Sequence, residues 1–262
     1  MAFETLSYEV KDNVAVITLN RPDAANALNL SMAKELFEVA VQAEHDPNVR
    51  AVLLTATGKM FCAGGDLKHF AEAGDDMAAR LTHTATNLHT AVSHFNRMDA
   101  PVIVAVNGTA AGAGFSLAIC GDYVFASENA KFTMAYTAAG LSPDGSSTFF
   151  LAQLVGMRKA KELALTNRLL TAEEALDWGL VNKVVPIEEL QEESLAMAMK
   201  LAQGPTKSFG VTKRLILDAC TESLESQMEA EGRGIAGCSQ SVDGQEGVKA
   251  FLEKRKPNFK GQ

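Results

Sequence analysis

The chain has 262 residues, of which 47% are apolar and 21% are charged, and its formal net charge is −8. The apolar fraction excludes a disordered chain, and no apolar run approaches the roughly 18 residues that a membrane-spanning helix needs. The net negative charge repels nucleic acid and anionic lipid surfaces, so we expect neither nucleic acid nor a membrane as a partner.

The first residues and the cysteines bear on the location of the protein. Residues 1–4 carry no basic region ahead of an apolar segment, which argues against a secretory signal and makes the cytoplasm the expected location. The four cysteines are Cys62, Cys120, Cys220 and Cys238. They form no Cys-x-x-Cys pair, so we predict free thiols without a disulfide framework or a structural zinc site. The five histidines form no His-Glu-x-x-His motif, and no metal is expected.

The first two-thirds of the chain alternate between short β-branched runs and amphipathic segments. The predicted strands are 14–19, 51–55, 102–106 and 123–126. The predicted helices between them are 31–44 and 81–95, in which apolar residues recur at spacings of three and four. This alternation of strand and helix predicts an α/β fold.

Helical patterns dominate the last third. Thr171 and Glu174 fit a capping box at the start of a helix that runs to Trp178, and a short extended run at 181–185 ends before Pro186. Further helices are predicted at 187–202, 207–219, 224–238 and 245–253. We therefore predict a core at 1–203 and a helical region at 204–262, whose many amphipathic faces suit an oligomer.

The segment 108–117 holds glycines at 108, 112 and 114, after a predicted strand and before a predicted helix. A dinucleotide fingerprint would need a third glycine where Leu117 stands, and the Lys-Ser/Thr of a phosphate-binding loop is absent. Gly114-Phe115-Ser116 resembles a nucleophile elbow weakly, because the strand at 102–106 ends well before the serine. Two interpretations remain: backbone amides that stabilise a negative charge, or a turn needed only for packing.

A second glycine turn occupies 61–67, after the strand at 51–55. Two such turns at the ends of neighbouring strands would converge. Each would then offer one amide to the same oxygen, which is the geometry that stabilises an enolate formed from a carbonyl.

Five ordered motifs carry a family resemblance: Asn20-Arg21-Pro22 with Asn26-Ala27-Leu28, the 61–67 turn, 101–108 with Gly112-Ala113-Gly114, Gly121-Asp122, and 253–259. Together they resemble the crotonase superfamily of enoyl-CoA hydratases and isomerases over residues 13–259. The resemblance implies a spiral of ββα units, a helical C-terminal trimerisation region that forms a homotrimer or a dimer of trimers, and acyl-CoA substrates. It implies no cofactor, because coenzyme A is part of the substrate.

The resemblance also assigns roles to residues. The amides of Gly65 and Ala113 would form the oxyanion hole. The substrate and its coenzyme A moiety would contact the turn residues Ala63, Gly64, Asp66 and Leu67, together with Tyr136, His89 and Lys254, with Arg255 and Lys256 as alternatives for the phosphates. The region 69–95, with Phe70, Met77, Leu81 and Leu88, suggests an apolar acyl chamber.

The sequence departs from the hydratases of the family. Those enzymes activate water with two glutamates, and the matching positions here are Ser116 and Tyr136, which cannot act as carboxylate bases. One acid remains nearby, Asp144 in a Pro-Asp-Gly loop like that of the single-carboxylate isomerases. The resemblance therefore implies an isomerase in which Asp144 shuttles a proton, although an aspartate after Pro143 is also a common turn residue.

Three other interpretations stay open. One is an enoyl-CoA hydratase, although this chain lacks the two glutamates of the usual route. In 4-chlorobenzoyl-CoA dehalogenase an aspartate at the position of Asp144 attacks the substrate and a histidine at the position of His89 activates water, so hydrolytic chemistry is one alternative. A crotonase fold without both glutamates is also compatible with a noncatalytic acyl-CoA binder.

Overall fold

A computed structural model describes residues 3–262. Within that range the strands are β1 Leu6–Lys11, β2 Val14–Leu19, β3 Ala51–Ala56, β4 Met60–Cys62, β5 Val102–Val106, β6 Thr109–Ala111, β7 Tyr123–Ser127, β8 Lys131–Thr133, β9 Leu170–Thr171 and β10 Lys183–Val185. The α-helices are α1 Leu30–His45, α2 Leu67–Ala71, α3 Met77–Arg97, α4 Ala113–Ile119, α5 Ser147–Thr166, α6 Ala172–Asp177, α7 Leu190–Ala202, α8 Thr206–Asp218, α9 Leu224–Ser239 and α10 Val242–Leu252. No helix in residues 3–262 is long and apolar enough to pass through a membrane.

The strands form two sheets that the chain visits in turn. The larger sheet has the order β1-β2-β3-β5-β7-β10, and the smaller has the order β4-β6-β8-β9. Strand β1 is antiparallel to β2, and the remaining neighbours of the larger sheet are parallel. After β2 and α1, the chain repeats a strand of the larger sheet, a strand of the smaller sheet and a helical segment. This spiral of ββα units confirms the predicted α/β fold class.

The centre of the larger sheet is buried on both faces. Along β5, Val102, Val104 and Val106 join the main core, whereas Ile103 and Ala105 join a second core beneath α7. Because side chains alternate between the faces of a strand, an uninterrupted apolar run is what a strand covered on both sides requires. The run at 102–106 therefore predicts this central strand well.

The predicted elements occur close to their expected bounds. The capping box is present, since the Glu174 amide donates to Thr171 Oγ at 3.2 Å and the Thr171 amide donates to Glu174 Oε2 at 3.0 Å. Its helix, α6, ends one residue before the predicted end at Trp178. Strand β10 begins at Lys183, two residues after the start of the extended run predicted at 181–185.

Several elements were not predicted. The strands of the smaller sheet have only two or three residues, too few to display a period of two. One of them, β6, is a separate strand between β5, which ends at Val106 as predicted, and α4. Helix α5 also escaped prediction. It is interrupted at Gly156, whose φ of +78° breaks the helical spacing.

Helix α8 is held to the core by an ion pair and two further hydrogen bonds of one lysine. Lys213 Nζ lies 2.6 Å from Asp122 Oδ2 and donates to the carbonyls of Phe95 and Ala100. Burial raises the pKa of Asp122, and the neighbouring ammonium opposes that shift. The division of the chain after residue 203 stays a prediction; α8 itself is packed tightly on the preceding core.

Candidate active site

The two glycine turns meet because β4 and β6 are parallel neighbours that end at the same edge of the smaller sheet. Gly64 has a φ of +99°, and a Cβ there would lie 2.9 Å from the Ala111 carbonyl oxygen. Gly112 has a φ of +52°, and a Cβ there would lie 3.4 Å from Gly64 Cα. Only glycine allows this approach, so the packing of the two turns against each other brings Gly65 and Ala113 together.

Two backbone amides at this meeting point are left without acceptors. Leu28 pairs with the Gly65 turn by donating to the Gly64 carbonyl and accepting from the Asp66 amide. In such a parallel bridge the amide of the middle residue, Gly65, points to the opposite side. Ala113 is the first residue of α4, where helical amides have no partner within the helix. In residues 3–262 no group accepts from either amide.

A cavity of about 360 Å³ opens beside these amides. It is lined by both turns, by one face of α2 and α3, and by the segment that leads to α5. The lining residues are Leu28, Ala63, Gly64, Gly65, Leu67, Phe70, Leu81, Thr82, Thr84, Ala85, Gly112, Ala113, Ala135, Tyr136, Ala139, Leu141, Ser142 and Asp144. Within this lining Asp144 carries the one carboxyl group, and it contains no lysine, arginine or histidine. No cluster of three or more His, Cys, Asp or Glu in the described chain is placed to hold a metal ion.

Most of the residues predicted for the site line this cavity. They are Ala63, Gly64, Gly65, Leu67, Ala113, Tyr136 and Asp144. Asp66, His89 and Lys254 do not. The Asp66 carboxylate caps α2 by accepting from the His69 amide at 3.1 Å and pairs with Arg21 at 3.1 Å, so it is directed away from the cavity.

The predicted phosphate-binding residues lie at the C-terminal end of α10. Lys254 and Lys256 are exposed and outside the cavity lining. Arg255 forms ion pairs with Glu246 and Glu253 and is likewise absent from the cavity lining.

The acyl chamber predicted from 69–95 is present in part. Phe70 and Leu81 line the cavity, whereas Leu88 is fully buried in the core and Met77 is exposed at the start of α3. The sequence interpretation missed Thr84, which lies three residues after Leu81 and four before Leu88. That spacing places all three on one helical face and could have identified it.

Asp144 belongs to a hydrogen-bond network that the sequence interpretation did not foresee. Tyr136 Oη donates to Asp144 Oδ1 at 2.7 Å. The hydroxyls of Tyr136 and Ser116 are hydrogen bonded at 2.9 Å, and Ser116 Oγ lies 3.0 Å from the Asp144 carbonyl oxygen. The two positions where hydratases of the family carry glutamates are thus adjacent and filled by hydroxyls.

The Tyr136 phenol stays protonated because burial, and then the nearby negative charge of Asp144, raise its pKa well above the usual value. It therefore acts as a permanent hydrogen-bond donor to one oxygen of the carboxylate. The side chain of Asp144 is about one-third exposed. Its other oxygen, Oδ2, remains available to a molecule in the cavity.

His89 lies behind this carboxylate instead of in the cavity wall. Its Nε2 is 3.5 Å from Asp144 Oδ2 and accepts a hydrogen bond from the Gly145 amide at 3.1 Å. The prediction placed His89 among the substrate contacts. It lies in α3 one helical turn after Ala85, which lines the cavity, and this position makes it a neighbour of the acid loop.

Comparison with known proteins agrees with this geometry. The family model described as "Enoyl-CoA hydratase/isomerase" matches residues 9–262. The chain belongs to the enoyl-CoA hydratase/isomerase family. The "1,2-epoxyphenylacetyl-CoA isomerase" of Escherichia coli is 39% identical over 267 residues, covering 99% of each chain. The "Probable enoyl-CoA hydratase" of Rhodobacter capsulatus is 38% identical over 262 residues, covering 100% of each.

Solved structures support membership of the enoyl-CoA hydratase/isomerase family at the level of fold. The enoyl-CoA hydratase from Bacillus anthracis superposes with a TM-score of 0.92 at 33% identity, covering 99% of this chain and 100% of that one. The resemblance to the crotonase superfamily is thereby confirmed. Relatives of similar identity are named hydratase and isomerase, so their names leave the reaction of this family member open.

Proposed function

We propose that this enzyme is an acyl-CoA isomerase that moves a carbon–carbon double bond, with Asp144 as the proton carrier. The observation that carries the proposal is the lone carboxyl of the cavity beside two unpaired amides. The second acid that water addition by the two-glutamate route requires is replaced by the bonded hydroxyls of Ser116 and Tyr136. One carboxylate suffices for an isomerisation, because the proton removed is the proton returned.

The proposed reaction begins when the amides of Gly65 and Ala113 bind the thioester oxygen of a 3-enoyl substrate. They stabilise the negative charge that develops when Asp144 removes a proton from carbon 2. The electrons delocalise into a dienolate, and Asp144 returns the proton to carbon 4 as the 2-enoyl product forms. Electrons and protons balance without an oxidant, so the reaction needs no cofactor besides the coenzyme A of the substrate.

A panel of 3-enoyl, 2-enoyl, epoxide-derived and halobenzoyl thioesters tests this proposal. We expect the 3-enoyl or the epoxide-derived thioester to give a product of unchanged mass, with the absorbance of a conjugated thioester from the former. In deuterated water, exchange of the proton held by Asp144 with the solvent would place deuterium in that product. A gain of one water in mass would indicate a hydratase, and binding without any conversion would indicate a noncatalytic protein; either result would overturn the isomerase.

Hydrolysis is the second candidate, and the closeness of His89 to Asp144 favours it. In that mechanism Asp144 attacks the halogen-bearing ring carbon of a halobenzoyl thioester, the halide leaves, and the imidazole activates the water that hydrolyses the resulting aspartyl ester. However, the His89 nitrogen nearest Asp144 already accepts the Gly145 amide, so its lone pair is engaged. Mass spectrometry under single turnover separates the candidates, because attack leaves an aspartyl ester on the peptide containing Asp144 and proton transfer does not.

We propose that the enzyme assembles as a homotrimer or a dimer of trimers through its C-terminal helices. Helices α9 and α10 expose large apolar side chains, at 52% to 82% of their surface. These are Leu224, Met228, Ile235, Val242, Val248, Phe251 and Leu252. Exposed apolar side chains on two consecutive helices suit an interface. The mass in solution, measured by light scattering, distinguishes the trimer from the hexamer.

The cysteines support a reducing compartment, and we propose the cytoplasm. All four are free thiols, of which Cys62 and Cys120 are buried. Burial raises the pKa of Cys62 to about 11 and that of Cys120 to about 12, so both remain protonated and unreactive.

A further inference from the structure

The hydrogen bond between Gly145 and His89 defines the state of the imidazole. The Gly145 amide can only donate, so His89 Nε2 must accept at the observed 3.1 Å with a lone pair. The ring proton is therefore on Nδ1, and the imidazole is neutral. The side chain of His89 is half exposed, and Nδ1 has no partner in residues 3–262.

This tautomer excludes an ion pair between His89 and Asp144 in the present arrangement. Nε2 lies 3.5 Å from Asp144 Oδ2, but it carries no proton to donate. The shorter contact, with the Gly145 amide, is the hydrogen bond that Nε2 makes. The histidine thus acts on the acid through the peptide that joins Asp144 to Gly145.

That peptide lies in a turn of unusual backbone conformation. Gly145 and Ser146 both have left-handed φ values, +61° and +71°. A Cβ on Gly145 would lie 2.9 Å from Ser116 Cβ. Gly145 is buried, and His89 is the acceptor that the described chain provides for its amide. A buried amide without an acceptor costs about 1–3 kcal/mol, so the turn depends on this bond.

We propose that His89 is a positioning residue. Its neutral imidazole holds the turn that directs Asp144 into the cavity, and it transfers no proton during turnover. This inference rests on the proposed function, because it takes Asp144 to be the proton carrier. Tyr136 binds Oδ1 from one side, and His89 holds the following peptide from the other. Together they hold Asp144 in the cavity lining and leave Oδ2 without a hydrogen-bond donor in the described chain.

Two variants of His89 separate positioning from acid–base chemistry. His89→Gln places an amide oxygen near the position of Nε2, so it keeps an acceptor for Gly145 but cannot take up a proton. His89→Leu removes the acceptor. We expect His89→Gln to keep kcat within about 3-fold of the parent and His89→Leu to lower kcat about 10- to 100-fold, because a displaced carboxyl is misaligned for proton transfer. KM should change by less than about 3-fold in both, because His89 does not line the cavity.

An equal loss of kcat in both variants would overturn the proposal, since it would mean that the imidazole itself does the chemistry. A readout independent of turnover is the nitrogen NMR spectrum of the full-length protein labelled at its histidines, with His89→Gln to assign the signals. We expect a neutral ring protonated at Nδ1, and a proton on Nε2 would contradict the positioning role. Because this spectrum reports the turn and not the reaction, it stays decisive even if the isomerase proposal fails.

Discussion

Asp144→Asn is expected to lower kcat about 10²- to 10⁴-fold, the usual contribution of a positioned acid–base group. The asparagine keeps the shape of the side chain and an oxygen that can accept from Tyr136 Oη, but it cannot take a proton from the substrate. We therefore expect the fold and ligand binding to persist while turnover is lost. The measurements are steady-state kinetics and calorimetric binding of an unreactive thioether analogue, whose Kd should change by less than about 3-fold.

Tyr136→Phe provides the matched control for Asp144→Asn. It retains the carboxylate but removes the donor at 2.7 Å from Oδ1. We expect a smaller loss, about 10-fold in kcat, because a single hydrogen bond to a charged group contributes about 1.5–3 kcal/mol and part of it is replaced by water. If Asp144→Asn turned over substrate within about 3-fold of the parent while still binding the analogue, the proton-carrier role of Asp144 would be refuted.

Ala113→Pro is expected to reduce kcat/KM at least about 10²- to 10³-fold, the cost of losing one oxyanion donor. Ala113 is the first residue of α4, the helical position that tolerates proline best, so the helix should still form. The substitution removes the amide hydrogen and places the proline ring where the thioester oxygen would bind. Steady-state kinetics measures the loss, and circular dichroism checks the fold.

Ala113→Gly is the control for the proline variant. It changes the side chain but keeps the amide, so activity within about 5-fold of the parent is expected, allowing for the roughly 1 kcal/mol that a helical glycine costs. If the proline and glycine variants were equally active, the amide of Ala113 would have no part in catalysis.

Local patterns predicted most of the long elements, with α5 as the exception. The uninterrupted apolar run of β5 and the capping box at Thr171 and Glu174 each depend on residues close together in the chain. The three-residue strands β4, β6 and β8 form because neighbouring segments of the spiral align them, so their own residues carry too little pattern to reveal them. Helix α5 is broken at Gly156, which has a φ of +78°, a conformation that glycine adopts readily.

The components of the site were visible in the sequence, but most of their contacts were not. The glycine turns and the Pro-Asp-Gly loop were identified by motif, and Asp144 does line the cavity. The roles of Tyr136 and His89 changed. Both were expected to contact the substrate, yet Tyr136 also binds the acid and His89 binds the backbone of Gly145, 56 residues away.

The sequence by itself determined the α/β class, the family and the absence of the second carboxylate, because these follow from residue identities and short-range periodicity. Only the tertiary structure decided that the amides of Gly65 and Ala113 share one cavity, and that Asp144 is held between a phenol and a peptide fixed by an imidazole. The physical reason is that hydrogen bonds depend on distance and direction between groups far apart in the chain, and these are fixed when the turns of the spiral pack together.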